Sequence, residues 1–384
     1  MCNVCGEALH SPVYLGPDAL SITSLCEVRP GRTEVYFCPI CAHVQTTPLP
    51  ELKEYYESQY RILLESDEED QLYQVKNGQR TFRIDHQVKT LLKKVPLANG
   101  ARVLDYGCAK GASAKKLMQI APGISTHLFD VSSMYKPFWE RFATQANWAT
   151  HEFKPEWRGS FDLVMSFYVF EHVADPVATL KEAASLLKPN GTLYWLVPNF
   201  LANPADFIVA DHVNHFSRHS IEMTMRQVGV DLLEIDSQSH EAAWIIIGAR
   251  HSLHSVPSEP LSADSESGIR REVEAMARYW IDIETRIRAF EVLHRDSGPA
   301  AIYGSGFYGT FIASRLLNPD RITHFVDQNS FRQGKTLFDK PIVAPEQLPD
   351  DIKTVYVGLN MQTARTAIDD VKSWSGRQLD YFFL

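Results

Sequence analysis

Arg102-Val103-Leu104-Asp105-Tyr106-Gly107-Cys108-Ala109-Lys110-Gly111 is an apolar strand running into a glycine turn, and Ala112 to Ile120 continues it as a helix. Gly107 and Gly111 remove side chains where a ligand must approach, and the helix presents its N-terminal amides toward that ligand. The following stretch, Thr126-His127-Leu128-Phe129-Asp130, ends in a carboxylate suited to a ribose diol. The same turn and acid also open dinucleotide folds, so this pair alone leaves the cofactor undecided.

Working outward, apolar runs near 102, 126, 149, 161, 192, 230 and 243 alternate with helical patterns. Phe82 to Val95 is amphipathic, with Ile84, Val88, Leu91 and Leu92 on one face. The last two runs, Val230 to Ile235 and Trp244 to Ile247, are close enough to form a hairpin. Periodicity therefore predicts an α/β sheet.

The continuation narrows the cofactor. Phe161-Asp162-Leu163-Val164-Met165-Ser166 is followed by Val169-Phe170-Glu171-His172-Val173-Ala174-Asp175-Pro176, then Leu187-Lys188-Pro189-Asn190-Gly191. Over roughly Val88 to Arg250 the chain resembles the class I S-adenosylmethionine (SAM) methyltransferases, in which D-x-G-x-x-x-G, E-H-V-x-D-P and L-K-P-x-G recur in this order. Ala109 stands where many members carry a glycine. The resemblance implies a seven-stranded Rossmann-like sheet with a reversed last strand. It also implies a SAM site of Asp105, Tyr106, Gly107, Gly111, Asp130, Glu152, Phe153 and Ser166.

The chain has 384 residues, enough for two or three domains, and 45% apolar content is ample for their cores. A formal net charge of −9 leaves no basic face of the kind a duplex binder shows, which disfavours nucleic acid as a partner. No basic and apolar leader opens the sequence, and the apolar run near Ala242 to Ala249 is far too short for a bilayer. A cytoplasmic protein without a membrane partner is expected.

Cys2-Asn3-Val4-Cys5-Gly6 and Cys38-Pro39-Ile40-Cys41-Ala42 form two C-x-x-C corners. Each places two thiolates on one tight turn, so Cys2, Cys5, Cys38 and Cys41 make a candidate tetrahedral zinc site, closed and hence structural. The competing reading is buried or redox-active cysteines. Cys26 and Cys108 read as small apolar residues. After the pairs, Tyr55-Tyr56-Glu57-Ser58-Gln59-Tyr60 offers rings that either stack on a ligand or pack a lid helix onto the core.

Past the fifth strand comes Asp206-Phe207-Ile208-Val209-Ala210-Asp211-His212-Val213-Asn214-His215-Phe216-Ser217. Loops at the carboxyl ends of such strands line the ligand crevice. His212 is the candidate base, oriented by Asp211 or another acid, and His172 is a second candidate. His215 and Ser217 read as capping or packing the next helix.

A serine- and proline-rich stretch, Arg250 to Ser267, reads as a linker. The helix Ile269 to Leu293 carries an apolar stripe that a neighbouring domain or a second subunit, giving a homodimer, would cover. Ala301-Ile302-Tyr303-Gly304-Ser305-Gly306-Phe307-Tyr308-Gly309 then presents a G-x-G-x-x-G turn between strand and helix, with Asp327 ending the next strand about 20 residues on. Gly304, Gly306, Gly309 and Asp327 form a nucleotide-type loop, in a domain half the usual size.

The expected domains are 1–70 (zinc-binding lid), 71–250 (SAM domain), 251–295 (linker and helix) and 296–384 (half-Rossmann). This architecture resembles the sugar C-methyltransferases of deoxysugar biosynthesis. The resemblance implies methyl transfer to a 4-keto nucleotide sugar or a polysaccharide precursor, through a base, a donor to the enolate oxygen and an in-line methyl. Val209-Ala210 stand where the family has an aromatic-polar pair, and Asp211-His212 replace its E-H pair. O-methylation needs one base only, so the acceptor atom stays open between carbon and oxygen. Two other classes share these residues: methyltransferases of metabolites, lipids or RNA, and non-catalytic SAM-fold binding proteins.

Overall fold

All seven apolar runs form strands of one sheet. β1 (Arg102–Tyr106), β2 (Ser125–Asp130), β3 (Trp148–Thr150), β4 (Phe161–Phe167), β5 (Leu187–Pro198), β6 (Val230–Asp236) and β7 (Ala243–Arg250) lie in the order β3-β2-β1-β4-β5-β7-β6. The first five pair parallel, and β7 runs antiparallel to both of its neighbours, so the last strand is the reversed one. Because the order turns back between β1 and β4, the loops leaving their carboxyl ends diverge and open a crevice. This computed structural model describes residues 1–17, 19–62, 64, 66–76, 79–250 and 263–384, so most of the stretch read as a linker lies outside the described residues.

Side chains alternate across the sheet. Val103, Leu128, Leu163, Met165, Tyr194 and Leu196 join Val88 and Leu91 of α1 (Arg83–Lys94) and Leu117 of α2 (Ala112–Ile120) in one core. Leu104, Phe129, Val164, Leu193 and Trp195 join Leu180 and Ala183 of α3 (Pro176–Ser185) and Ile221 of α4 (Arg218–Val228) in the other. Cover on both faces is why these strands read as continuous apolar runs. Ser217 caps α4 in a reciprocal box with Ser220, whereas His215 is wholly buried and takes no part in the cap.

The chain divides into two compact units that do not follow its order. The first takes Met1–Val13, Val35–Phe207 and Asp211–Val273; the second takes Tyr14–Glu34, Ile208–Ala210 and Glu274–Leu384. In the first unit, Val35, Tyr36 and Phe37 pair antiparallel with the strand Val44–Thr46, which also pairs with Asn214–His215, setting Gln45 opposite Asn214 and Val44 opposite His215. The segment just after His212 is thereby stitched to the cysteine-bearing corner.

The second unit is built on a further sheet. Its strands are β8 (Ala300–Tyr303), β9 (Ile322–Val326), β10 (Thr336–Leu337), β11 (Lys340–Val343), β12 (Thr354–Val357) and β13 (Asp380–Phe383), in the order β10-β11-β9-β8-β12-β13. The long helix α5 (Ala263–Leu293) turns its apolar stripe inward. Trp280 lies 4.8 Å from Phe311 of α6 (Phe307–Arg315), and Phe290 lies 5.3 Å from Tyr356 and 5.4 Å from Phe382. A neighbour within the same unit thus covers the stripe. Among the described residues, no helix is long and apolar enough to cross a membrane.

Candidate active site

The turn after β1 is held open by its own backbone. Gly107 and Gly111 have φ of 70° and 75°, and a Cβ on Gly107 would stand 2.3 Å from the Val169 side chain. Ala109 takes the left-handed conformation at φ 46°, with its N–H donating to Asp130 Oδ2 at 2.8 Å and its carbonyl accepting from Trp139 Nε1 at 2.7 Å. The alanine at this position is thus accommodated by anchoring both of its backbone groups.

The sites expected for SAM gather around this turn, though not all by pointing into the crevice. Asp130 is buried with Oδ1 accepting from Ser132 N at 2.9 Å, and burial raises its pKa to about 6. Asp105 is buried behind the turn, accepting from Ala114 N at 3.2 Å, with burial raising it to about 7. Ser166 is fully buried and donates to Tyr106 O at 3.0 Å, so it braces the turn from behind. Phe153 lies 3.9 Å from Phe129 and 5.7 Å from Tyr106, continuing an aromatic wall, while Glu152 is exposed beside it. A glycine turn, a strand-end carboxylate with lone pairs to spare and an adjacent aromatic wall fit the nucleoside of SAM.

Next to the turn, β4 ends in a second chemical cluster. His172 Nδ1 lies 2.6 Å from the Tyr56 hydroxyl and 3.1 Å from Asp211 O. That carbonyl only accepts, so Nδ1 carries the proton and Nε2 keeps its lone pair. The Tyr56 hydroxyl in turn donates to Asp211 Oδ2 at 3.1 Å. Of the acids that could orient His212, Asp206 and not Asp211 meets its ring. His212 Nδ1 is bonded to Asp206 Oδ1, whose other oxygen accepts from His215 Nδ1 at 2.9 Å. The cause is local: Pro204–Ile208 is a 3₁₀ turn that tucks Asp206 beneath both histidines and leaves Asp211 to face Tyr56. His215 Nε2 and Thr46 Oγ1, 2.8 Å apart, complete a buried strut.

The two imidazoles are 4.7 Å apart, nearly perpendicular, in very different fields. Burial pushes His172 down to about 4, so it is neutral. Burial also works against a charge on His212, but the Asp206 carboxylate overrides it and holds His212 at about 9, an imidazolium at neutral pH. Asp206, which burial alone would raise, is kept ionised by both histidines. Glu171 is fully buried with neither carboxylate oxygen hydrogen-bonded, and burial raises it to about 8. A ring nitrogen of each histidine and a Glu171 oxygen lie within 4.8 Å of one another.

Tyr56 is the main residue that the sequence did not single out. It lies in a π-helical turn, Tyr55–Gln59, and its ring stands 5.0 Å from both Tyr60 and His172. Tyrosine clustering in 55–60 was the visible signal. The rings of Tyr56 and Tyr60 pack on His172, so a hydroxyl does reach this site, from a different element than the loop around Val209.

The four cysteines meet as two corners. Cys2 and Cys41 sulfurs are 3.5 Å apart, as are those of Cys5 and Cys38, and all four lie within 4.8 Å of one another. Zn–S bonds of ~2.3 Å put tetrahedral sulfurs ~3.8 Å apart, so the set fits a zinc ion. Asn214 ties this corner to the segment that carries Glu171 and His172. Its Oδ1 accepts from Asn3 Nδ2 at 3.0 Å and His43 Nε2 at 3.2 Å, and its Nδ2 donates to Phe170 O at 2.9 Å and Val173 O at 2.7 Å.

In the second unit, Asp327 Oδ2 accepts from both Ser305 N and Ser305 Oγ, at 3.0 and 2.5 Å. Gly304 and Gly309 lie against Gly358 more closely than a Cβ would allow. Backbone packing explains Gly304 and Gly309, whereas a Cβ on Gly306 would meet open space, and Asp327 is bonded within its own loop.

Comparison with known proteins agrees with the sheet and turn. Residues 77–235 match a family model described as a methyltransferase domain. A ubiquinone biosynthesis O-methyltransferase of Xanthomonas campestris pv. campestris (strain B100) is 33% identical over 119 residues, covering 29% of this chain and 48% of that protein. One of Xanthomonas oryzae pv. oryzae (strain PXO99A) is 31% identical over the same length. The chain spans about half the length of the curated relatives it matches. Among solved structures, a SAM-dependent methyltransferase from Mesorhizobium loti aligns with TM-score 0.37 and 13% identity, covering 44% of this chain and all of that one. The Haloferax volcanii complex of the Trm112 methyltransferase activator with a methyltransferase aligns with TM-score 0.39 and 20% identity, covering 44% and 90%. The chain therefore carries a class I SAM-dependent methyltransferase domain.

Proposed function

We propose that the protein transfers the methyl group of SAM to a carbon next to a carbonyl in a nucleotide-activated sugar, with the acceptor held between His172 and His212. SAM supplies an electrophilic methyl on its sulfonium. The observation that carries this reading is the divergence of two facing imidazoles, one neutral and one charged. Environments that push paired groups apart assign the acid and the base. His172 Nε2 takes the proton from the carbon acid. Its Nδ1–H is held by Asp211 and Tyr56, which stabilise the imidazolium that forms. His212, kept charged by Asp206, donates toward the developing enolate oxygen. Deprotonating a simple hydroxyl would need only the base, whereas enolisation uses both partners.

O-methylation is the second reading, favoured by the curated relatives, which are ubiquinone biosynthesis O-methyltransferases. The deciding experiment is carbon NMR after incubation with methyl-¹³C SAM and a panel of 4-keto and reduced nucleotide sugars. Label on carbon supports the first reading, and label on oxygen supports the second. No labelled sugar, with SAM bound, would remove the sugar from both.

A further inference from the structure

Beside the paired histidines, the carboxyl end of β4 carries polar groups that the chemistry above does not use. Tyr168 is half-buried and takes the left-handed conformation at φ 58°, its N–H donating to Leu196 O at 2.8 Å. Holding a bulky residue there costs about 1–3 kcal/mol, a strain that clusters at ligand sites. Arg83, the first residue of α1, lays its guanidinium over this ring at 4.8 Å. Among the described residues, that guanidinium makes no hydrogen bond and no ion pair. Glu171 and Asp70 feel its field, yet neither is within ion-pair distance.

Across the Tyr168 ring, 6.0 Å away, stands His240. It is buried, with Nδ1 donating to Glu241 O at 3.0 Å, which leaves the Nε2 lone pair buried without a partner. Tyr73 and His86 lock this ring in place, with centroids 4.9 and 5.1 Å from it. His86 is itself fixed by Ser239 O at 2.8 Å. A buried acceptor without a partner is costly unless something pairs with it, and beside it the half-buried guanidinium has its hydrogen-bonding capacity open to a ligand.

We propose that Arg83 and His240, flanking Tyr168, form a subsite that takes a carboxylate or phosphate on Arg83 and an adjacent hydroxyl donor on His240 Nε2. A planar guanidinium stacked on an aromatic face keeps its N–H fork free for bidentate contact with such an anion. Two ligands of the cleft could supply the anion: the acceptor, or the amino-acid carboxylate of SAM itself. The inference rests on the methyltransferase reading, but its test does not require turnover.

Calorimetry of the full chain with SAM, with decarboxylated SAM and with inorganic phosphate separates the cases. The expected result is that Arg83→Gln weakens binding of an anion at least tenfold. Loss of phosphate binding to the SAM-loaded protein assigns the subsite to the acceptor. Weakened SAM with unchanged decarboxylated SAM assigns it to the cofactor carboxylate. Arg83→Lys should restore part of the affinity, and Arg83→Gln should lower the melting temperature only slightly, because the cation loses its stacking on Tyr168 but no hydrogen bond or ion pair. His240→Phe serves as a second probe and should weaken the same ligand. Unchanged binding of both SAM and phosphate to Arg83→Gln overturns the proposal. Failure of the unaltered protein to bind SAM would instead overturn the methyltransferase reading.

Discussion

Asn214→Ala removes a buried joint. The side chain makes four hydrogen bonds, to Asn3, His43, Phe170 O and Val173 O. A net ~0.5–1.5 kcal/mol for each would sum to about 2–6 kcal/mol, and the buried partners left unpaired keep the cost off the low end. About 3 kcal/mol corresponds to a melting temperature lower by roughly 6–12 °C for a unit of this size. The loss should also be functional. Asn214 fixes the spacing between the segment carrying Glu171 and His172 and the segment carrying His212, and its own N–H donates to Glu171 O at 2.9 Å. Turnover should therefore fall about a hundredfold while SAM affinity stays within twofold, since the glycine turn lies apart from this joint. Circular dichroism melting of the zinc-loaded protein, SAM calorimetry and single-turnover kinetics read the three quantities. A melting temperature within a degree of the unaltered protein would refute the idea that Asn214 is a strut, and equal losses in SAM binding and turnover would refute its local action.

Turnover should need His172 neutral and His212 charged, so kcat should rise through about pH 4 and fall through about pH 9. A rate still climbing at pH 10 would show that His212 acts as a base. The raised His212 contributes stability that is complete below its unfolded value of ~6.5 and is lost as pH rises through about 9. Asp206→Asn should then shift the alkaline limb of the rate profile down by at least one unit, and an unmoved limb would break the assigned pair. Tyr56→Phe should cut kcat about tenfold to a hundredfold without weakening SAM, because it frees His172 and Asp211 from their shared partner. Metal analysis should find a single zinc ion per chain, with Cys38→Ser losing the metal and melting well below the parent. Metal-free protein that folds and turns over normally would end the structural role of the site.

Much of this molecule is legible in its residues, for identifiable reasons. Parallel strands covered on both faces announce themselves as apolar runs, so β1 to β7 were predictable, as was the glycine turn between β1 and α2. Cysteine pairs reveal a metal corner because the ligand geometry is local. Asp211 and His212 are visible in a dense polar loop and His172 in the Glu171-His172 motif, but their partnerships are not. Which acid meets which ring depends on the 3₁₀ turn at Pro204–Ile208, and Tyr56 arrives from far up the chain. No period or spacing encodes such a meeting. Likewise, of the tail glycines, Gly304 and Gly309 serve close backbone approach to Gly358 and to each other, which their spacing alone does not reveal.

The second unit is drawn from three stretches of chain, one of them only Ile208–Ala210, and that short stretch sits between the two acids of the catalytic loop. Val209 bridges to Ile22 and Ala210 N donates to Ile22 O at 2.9 Å, both within that unit. No single cleavage of the polypeptide can therefore release either unit whole. A chain ending at Val273 would keep Ile208–Ala210 but lack Glu274–Leu384, the largest stretch of the unit to which those three residues belong.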